Sequence, residues 1–238
     1  MIKIVIPMAG NGSRFRAAGY LDPKPFIMVD GKRMIELVIE NLTPKTEHQF
    51  IFIAQREHLD CYGGYEILNN AAPGCVIVPI NGVTEGAACS VLLAKDHIDC
   101  LDELLVANSD QLINFSIDDF LSDARLFDAT IMTMLRNESK WSFVGKNPKG
   151  EVTRVVEKHP ISEEATTGVY FFQYGSDFVS GVESMIKFNL RHNNEFYVAP
   201  VYNELIQVGK EIGTVMIPTD QFHGLGTPED LELYLSKT

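Results

Sequence analysis

Positive charge is scarce in this sequence. Its 238 residues include 20 Lys and Arg against 32 Asp and Glu, which gives a formal net charge of −12 at pH 7. A protein that binds nucleic acid neutralises phosphates with a basic face, and no cluster of Lys and Arg occurs along this chain. We therefore expect no nucleic-acid partner, and any phosphate that the protein binds must be held by a few local cations.

Long apolar runs and paired cysteine spacings are also missing. The first apolar run ends at Gly10 and is followed by charge, so it is too short to span a membrane and lacks the layout of a signal peptide. The four cysteines show no Cys-x-x-Cys spacing, which favours buried free thiols over disulfides or a metal site. These absences predict a cytoplasmic protein without a membrane partner. The cysteines are Cys61, Cys75, Cys89 and Cys100.

The first half of the chain alternates between segments typical of strands and segments typical of helices. Its short continuous apolar runs are typical of strands that are buried on both faces. The order strand, helix, strand predicts parallel pairing with right-handed crossovers. The predicted strands are Ile2–Pro7, 50–54, Val76–Ile80 and 104–107, and the predicted helices are Met34–Leu42 and 85–98, with Thr84 as N-cap of the second helix.

After about residue 128 the pattern changes to short strands separated by turn residues, which predicts an antiparallel lobe added to the sheet. The last helix is predicted to begin after the N-cap Thr227, with Pro228 at its first position. No internal repeat or linker interrupts the chain, so the sequence predicts one α/β domain. The further predicted strands are Ala129–Leu135, 141–145, 152–156, 168–173 and 214–218, and a helix is predicted over about 177–190.

The loop after the first strand carries the clearest chemical signal. Gly10 and Gly12 allow backbone N–H groups to approach an anion closely, and Arg14 and Lys24 supply positive charge beside it. A dinucleotide-binding loop requires a third glycine where Phe15 stands, and a P-loop requires Gly-Lys-Ser/Thr, which the sequence lacks. What remains is Gly-x-Gly-x-Arg followed by Pro-Lys-Pro, which predicts a site that binds a polyphosphate and transfers part of it.

Residues 8–26 resemble the signature of the sugar-phosphate nucleotidyltransferases, also called nucleoside-diphosphate-sugar pyrophosphorylases. The resemblance continues in order at residues 85–88, 110, 157–158, 167–170 and 226–228. It implies a Rossmann-like three-layer α/β sandwich, in which a mostly parallel mixed sheet carries helices on both faces and a small antiparallel lobe binds the acceptor. It also implies a single domain over residues 1–238, with a nucleotide-binding part at 1–128 and an acceptor-binding part with the closing helix at 129–238.

Enzymes of this family join a nucleoside triphosphate to a sugar 1-phosphate and release pyrophosphate, a transfer that depends on positioning and counter-charge. The resemblance implies that Arg14 neutralises the departing phosphates and that Lys24, between two prolines, lies over the α-phosphate and the acceptor. It implies that Asp110 holds Mg²⁺ against the triphosphate, although an aspartate after a strand can also cap a turn. The nucleotide-binding residues that it implies are Met8, Ala9, Gly10, Asn11, Gly12, Ser13, Asn81, Gly86 and Ala87.

The resemblance also assigns residues to the acceptor. Lys158 matches the lysine that binds the acceptor phosphate and Glu157 the acid that contacts a sugar hydroxyl, whereas an exposed charge pair at a strand end is the alternative. Gly168 would let the backbone come close to the acceptor. Glu195 lies where relatives place a further acid, and Tyr197 is equally interpretable as core packing.

One position departs from the family pattern. Many members carry an aspartate two residues before the Gly-Thr pair near the C-terminus, and this chain has Gly224 there. The second metal ligand is therefore unassigned, because Asp220 and His223 lie nearby but not at the matching place.

We expect a Mg²⁺-dependent nucleotidyltransferase that joins a pyrimidine nucleoside triphosphate to a sugar phosphate or a similar small phosphorylated acceptor, in surface polysaccharide synthesis. Asn81 could read a pyrimidine edge or could be a turn residue before Gly82. A nucleotide-sugar-dependent glycosyltransferase is a second hypothesis. The Gly-x-Gly-x-Arg and Pro-Lys-Pro pair argues against it, because an enzyme that uses a diphosphate donor does not need to bind a leaving pyrophosphate. A non-catalytic regulatory homologue is a third, which Gly224 keeps open. The sequence also leaves a homodimer open.

Overall fold

The computed structural model describes residues 1–237. Its strands are β1 (Ile2–Pro7), β2 (Met28–Val29), β3 (Lys32–Arg33), β4 (His48–Gln55), β5 (Val76–Ile80), β6 (Glu103–Ala107), β7 (Gln111–Ile113), β8 (Ala129–Leu135), β9 (Ser142–Lys146), β10 (Val152–Glu157), β11 (Glu164–Phe172), β12 (Ile212–Met216) and β13 (Phe222–Gly224). Its α-helices are α1 (Ser13–Ala17), α2 (Met34–Leu42), α3 (Arg56–Cys61), α4 (Gly64–Ala71), α5 (Ala87–Leu92), α6 (Lys95–Ile98), α7 (Ile117–Ala124), α8 (Gly175–Lys187), α9 (Val201–Gln207) and α10 (Pro228–Leu235).

A mixed sheet with helices on both faces confirms the predicted α/β class. Within residues 1–237 this sheet has nine strands, and β6, β1, β4 and β5 lie side by side in parallel. β5 lies at the edge of the sheet, so its residues are half-buried, and the prediction that both of its faces are buried is wrong. The parallel strands bring the loop after β1 and the loop after β6 to the same edge of the sheet.

The antiparallel part continues the same sheet. Residues 169–172 of β11 pair antiparallel with β6, and Ala165 of β11 pairs with Phe143 of β9. β8 pairs along the opposite edge of β11, and β12 pairs with β8 in parallel. One edge of β11 therefore has two successive neighbours, β6 and β9, and a fork opens between them beyond the end of β6.

Two apolar layers hold the sheet between helices. Ile4 and Ile6 of β1 face one layer and Val5 faces the other, as the two-residue period of a strand requires. The first layer includes side chains of α2, α4, α7 and α10, and the second includes side chains of α5, α8 and α9. Each large apolar side chain that is fully buried in these layers stabilises the fold by roughly 1.5–3 kcal/mol. The strand ends that carry polar residues are thus fixed by a packed core on both faces.

The predicted helix over 85–98 is correct in part, whereas Thr84 as its N-cap is wrong. The chain forms two shorter helices, α5 and α6, and Gly86 precedes α5 with φ 128° and ψ 170°. Only glycine adopts this conformation readily, and it excludes residues 85 and 86 from the helix. The Thr84 hydroxyl donates instead to the Gly86 carbonyl at 2.8 Å.

The cysteine prediction is correct in part. Within the described residues the four thiols are free, but Cys61 is exposed and the other three are half-buried, so the expectation of buried thiols is wrong. No helix within residues 1–237 is long and apolar enough to cross a membrane.

Candidate active site

The glycine loop after β1 lines a cleft of about 410 Å³ at the edge of the sheet. The N–H of Met8 donates to the Ile53 carbonyl at 2.9 Å, which holds the start of the loop against β4. Gly12 has φ 58°, and a Cβ on it would lie 3.2 Å from the Cβ of Lys24. The glycine therefore allows the loop and the Pro-Lys-Pro segment to approach each other. Five of the predicted loop residues line the cleft: Met8, Gly10, Asn11, Gly12 and Ser13.

Two cations and one carboxylate face this cleft. The Arg14 side chain is exposed and makes no hydrogen bond or ion pair with any residue in the range 1–237, although its charge interacts with the Glu229 carboxylate. Lys24 begins a 3₁₀ turn (Lys24–Phe26), and its ammonium group donates to the Asp110 carboxylate. The structure therefore brings together Arg14 of α1, Lys24 of the 3₁₀ turn and Asp110 of the loop after β6.

Asp110 is held by the segment before α10. Its carbonyl accepts the N–H of Leu225 at 2.7 Å, and β13 pairs with β7 directly after it. A Cβ on Gly226 would lie 3.1 Å from Asp110 Oδ2, so a side chain there would crowd the carboxylate. No group of three or more His, Cys, Asp or Glu side chains within residues 1–237 is arranged to hold a metal ion. Mg²⁺ is typically bound through one or two carboxylates together with waters and substrate phosphates, and Asp110 offers one such carboxylate.

A second cavity of about 310 Å³ lies in the fork of the sheet and contains Glu157, Lys158 and Gly168. Lys158 adopts a left-handed φ of 54°, and its ammonium group donates to the Tyr197 hydroxyl at 2.5 Å. The ammonium also lies 4.4 Å from the centroid of the Tyr197 ring. Tyr197 thus lines the cavity beside a cation, and burial raises the pKa of its hydroxyl.

Glu157 is buried at the end of β10, where it accepts a hydrogen bond from the Ser142 hydroxyl. Burial raises the pKa of the Glu157 carboxyl above its usual range. A carboxyl group at this position can accept a hydrogen bond from a hydroxyl group of a ligand.

The two cavities adjoin, because Ala87 and Asn108 line both. Gly168 has φ 89° and lacks a side chain, and a Cβ on it would lie only 2.1 Å from Asn108 Nδ2. The N–H of Asn108 donates to the Gly168 carbonyl at 3.1 Å. The Asn108 side chain therefore lies in the fork only because residue 168 is a glycine.

Four predicted residues lie outside both cavities. Asn81 is exposed and accepts a hydrogen bond from Arg56 Nε at 3.3 Å. The Ala9 carbonyl accepts a hydrogen bond from Gln55 Nε2 at 2.8 Å. Glu195 is exposed in a turn that bridges to residue 192, but its carboxylate interacts with the hydroxyl of Tyr197, which lines the second cavity. Gly86 packs against the backbone of residue 196, as a Cβ on it would come within 2.4 Å of that carbonyl oxygen.

Sequence reasoning missed several residues that line the cavities. Asn108 and Ser109 line the first cavity. Their position directly after a buried parallel strand indicates a ligand-binding role, because ligands usually bind at the carboxyl ends of such strands. Lys140 and Trp141 line the second, and no local signal marks them because long-range pairing of β9 brings them there. The other lining residues that had no assigned role are Pro7, Phe15, Pro25, Ser142, Thr166, Thr167, Tyr170, Val198, Ala199 and Gly226.

Comparison with known proteins identifies relatives over most of the chain. The family model described as nucleotidyl transferase matches residues 3–196. The nucleoside-diphosphate-sugar pyrophosphorylase from Vibrio cholerae RC9 superposes with a TM-score of 0.84 at 28% identity, covering 98% of this chain and 99% of that one. The UTP–glucose-1-phosphate uridylyltransferase AglF of Haloferax volcanii is 23% identical over 237 residues, which cover 96% of this chain and 93% of AglF.

Other relatives are longer than this chain. The bifunctional protein GlmU of Methanococcus maripaludis is 25% identical over 234 residues, which cover 95% of this chain and 52% of GlmU. The chain thus spans about half the length of that relative.

Proposed function

The chain belongs to the nucleotidyl transferase family, and from that premise we propose that it joins a nucleoside triphosphate to a small phosphorylated acceptor and releases pyrophosphate. The observation that carries the proposal is the pair of adjoining cavities that share Ala87 and Asn108 as lining residues. The first cavity offers a glycine loop and two cations to a triphosphate. The second offers Lys158 to a phosphate and Glu157 to a hydroxyl group.

The proposed reaction is an in-line transfer. An oxygen of the acceptor phosphate attacks the α-phosphorus, the bond from that phosphorus to the bridging oxygen breaks, and its electron pair leaves with pyrophosphate. Arg14 makes no ion pair within residues 1–237, so its charge is available to the departing phosphates. Lys24 would exchange the Asp110 carboxylate for phosphate oxygens when substrate binds. Both cations act by preorganised counter-charge, which is the largest single contribution in many such reactions.

Magnesium dependence is part of the proposal. The donor set fits this ion, because an oxygen-donor carboxylate stands at the edge of the triphosphate cleft and glycine at position 226 leaves the space beside it open. Asp110 would hold the ion, which would neutralise charge on the triphosphate when bound. A polyphosphate with its counter-ion would fill the part of the cleft between Asp110 and the glycine loop.

We further propose a pyrimidine base, a sugar phosphate or similar acceptor, and a role in surface polysaccharide synthesis. The name of AglF specifies UTP and glucose 1-phosphate, which supports a pyrimidine nucleotide and a sugar phosphate for this chain. A nucleoside diphosphate conjugate is an activated donor of the kind that glycan assembly consumes. Cytoplasmic location, a single domain divided near residue 128 and a homodimer stay predictions.

One assay tests the proposal. The protein and Mg²⁺ are incubated with each nucleoside triphosphate and a panel of phosphorylated sugars, alcohols and amides, and pyrophosphate is measured. We expect release that depends on the acceptor, with reactions that lack acceptor as the control. Measurable triphosphate binding without release for any pair would instead favour a non-catalytic homologue, and consumption of nucleotide sugars would favour a glycosyltransferase.

A further inference from the structure

The segment 224–226 lies along Asp110 and lacks side chains at both of its ends. Gly224 pairs with Gln111 in the β13–β7 ladder, and the N–H of Leu225 donates to the Asp110 carbonyl. The backbone of residues 224 and 225 therefore runs beside that of residues 110 and 111. With glycine at position 224, the segment itself supplies no second acidic group to the cleft.

Asp230 in the first turn of α10 reaches the same place from the other side. A Cβ on Gly226 would lie 3.1 Å from Asp110 Oδ2 and 3.9 Å from Asp230 Oδ2. The two carboxylate oxygens are therefore no more than about 7 Å apart. A Cβ on Gly224 would lie 3.7 Å from the Cγ atom of Asp230. The Asp230 carboxylate therefore lies beside the position where a side chain of residue 224 would begin.

Helix capping does not account for the Asp230 carboxylate. The backbone N–H of Asp230 donates to the Thr227 hydroxyl at 3.1 Å, which completes the N-cap of α10. In a reciprocal capping box the acid would also accept a hydrogen bond from the backbone of the capping residue. The Asp230 carboxylate makes no hydrogen bond or ion pair with any residue of the range 1–237, although it is half-buried.

We propose that Asp230 supplies the second carboxylate for the divalent cation, in place of an acidic side chain at position 224. The proposal rests on the proposed function, because the cation accompanies a bound triphosphate. Ligands of one Mg²⁺ ion lie about 2 Å from it, and the ion usually keeps several waters. A side-chain rotation of Asp230, or one water held by the ion, spans the remaining gap without movement of the backbone.

Manganese binding tests this assignment without relying on turnover. Free Mn²⁺ is measured by electron paramagnetic resonance during titration of the full chain with CTP or UTP present. We expect Asp230→Asn to weaken Mn²⁺ binding about 10-fold or more, since changes around a metal ligand already cost about 10- to 100-fold. Asp230→Asn keeps the N–H bond to Thr227, and thermal unfolding checks that the variant is folded.

The matched control is Glu229→Gln, which removes the same charge from the same helical turn. Glu229 is exposed, and its carboxylate lies near enough to the cleft to interact with the charge of Arg14. Because an exposed charge is screened by solvent and salt, its loss should change Mn²⁺ affinity less than about 2-fold. In the Asp230→Asn background, Gly224→Asp should restore most of the lost affinity, because the new carboxylate would start beside the old one.

The outcomes separate this inference from the proposed function. If Asp230→Asn binds Mn²⁺ as tightly as the Glu229→Gln control, while Asp110→Asn abolishes binding, the Asp230 assignment is overturned and the proposed function stands. If the unmodified protein binds no more Mn²⁺ than the nucleotide alone, both are overturned.

Discussion

Replacement of Gly86 by alanine tests how the loop before α5 is coupled to the acceptor side of the site. The N–H of Phe196 donates to the Glu85 carbonyl at 2.8 Å, and the N–H of Ala88 donates to the Phe196 carbonyl at 3.0 Å. Residue 86 lies between these two bonds. A Cβ there would come within 2.4 Å of the Phe196 oxygen and 2.6 Å of its nitrogen.

Two costs add in the Gly86→Ala variant. The backbone at φ 128° and ψ 170° belongs to a region that is essentially restricted to glycine, which costs about 1–3 kcal/mol for another residue. Overpacking against backbone atoms costs about 1–3 kcal/mol more. The free energy of unfolding should therefore fall by about 2–6 kcal/mol, and for a chain of this size the Tm should fall by about 4–24 °C, at about 2–4 °C per kcal/mol.

Gly82→Ala is the matched control. Gly82 also has a positive φ, 77°, but a Cβ on it would meet nothing within 4 Å. Only the left-handed conformation is penalised there, at about 1–2 kcal/mol, and the entropy that alanine removes from the unfolded chain is common to both variants. Thermal and urea unfolding of the two variants gives the difference directly.

Kinetics add a second readout. Displacement of residue 196 would move Tyr197 and Val198, which line the second cavity, so Gly86→Ala should raise the KM for the acceptor as well as the KM for the nucleotide. The reasoning would be refuted if Gly86→Ala were no less stable than Gly82→Ala. A rise in the nucleotide KM alone would indicate direct contact of residue 86 with the base instead.

Four further predictions concern charged groups of the site. Lys24→Ala should lower kcat/KM about 10²- to 10³-fold in the pyrophosphate assay, by analogy with a lost oxyanion donor. Asp110→Asn should abolish metal-dependent turnover in that assay while circular dichroism stays unchanged, and undiminished turnover would contradict the metal assignment. Lys158→Ala should raise the acceptor KM about 10- to 100-fold, because a hydrogen bond from a charged group is worth roughly 1.5–3 kcal/mol, whereas an equal rise in the nucleotide KM would contradict its place in the second cavity. Burial raises the pKa of the Glu157 carboxyl in the folded protein above its value in the unfolded chain. The neutral carboxyl therefore stabilises the folded state at low pH, and this stabilisation is lost as the pH rises through the pKa of the folded state. The stability of Glu157→Gln relative to the unmodified protein should therefore increase from pH 4 to pH 8 in urea unfolding, and a difference independent of pH would refute the sign.

Elements with a strong local pattern were predictable from the sequence. The bounds of β1, β5, β8 and α2 and the start of α10 agree with the predictions, because continuous apolar runs or a Thr-Pro start define them locally. The predicted start of the helix over 85–98 is wrong because the conformation of Gly86 depends on contact with the backbone of Phe196, which is distant in sequence. The helices α3, α4, α7 and α9 were not predicted, since they are short and their stability comes from packing against the sheet.

The same division applies to the site. The glycine loop and Lys24 are close in sequence, so their spacing alone indicated a shared role. Asn108 was also predictable, because it directly follows a buried parallel strand, whereas Trp141 enters the second cavity through strand pairing that no local pattern encodes. Asn81 and Glu195 had only a position in the sequence to support them. Asn81 contacts Arg56 outside the cavities, whereas the Glu195 carboxylate lies beside Tyr197 at the border of the second cavity.

The fork of β11 constrains how such a protein can change during evolution. β11 lines the second cavity directly, and it pairs with β6, after which Asn108 and Asp110 of the first cavity follow. An insertion or deletion within β11 would therefore shift the second cavity relative to the first by the length of a residue, about 3.3 Å. In-line transfer tolerates errors of only about 1 Å. New acceptors are therefore accessible through substitutions at Lys140, Trp141 and Tyr197 around the outer wall, while the length of the strand itself has to stay constant.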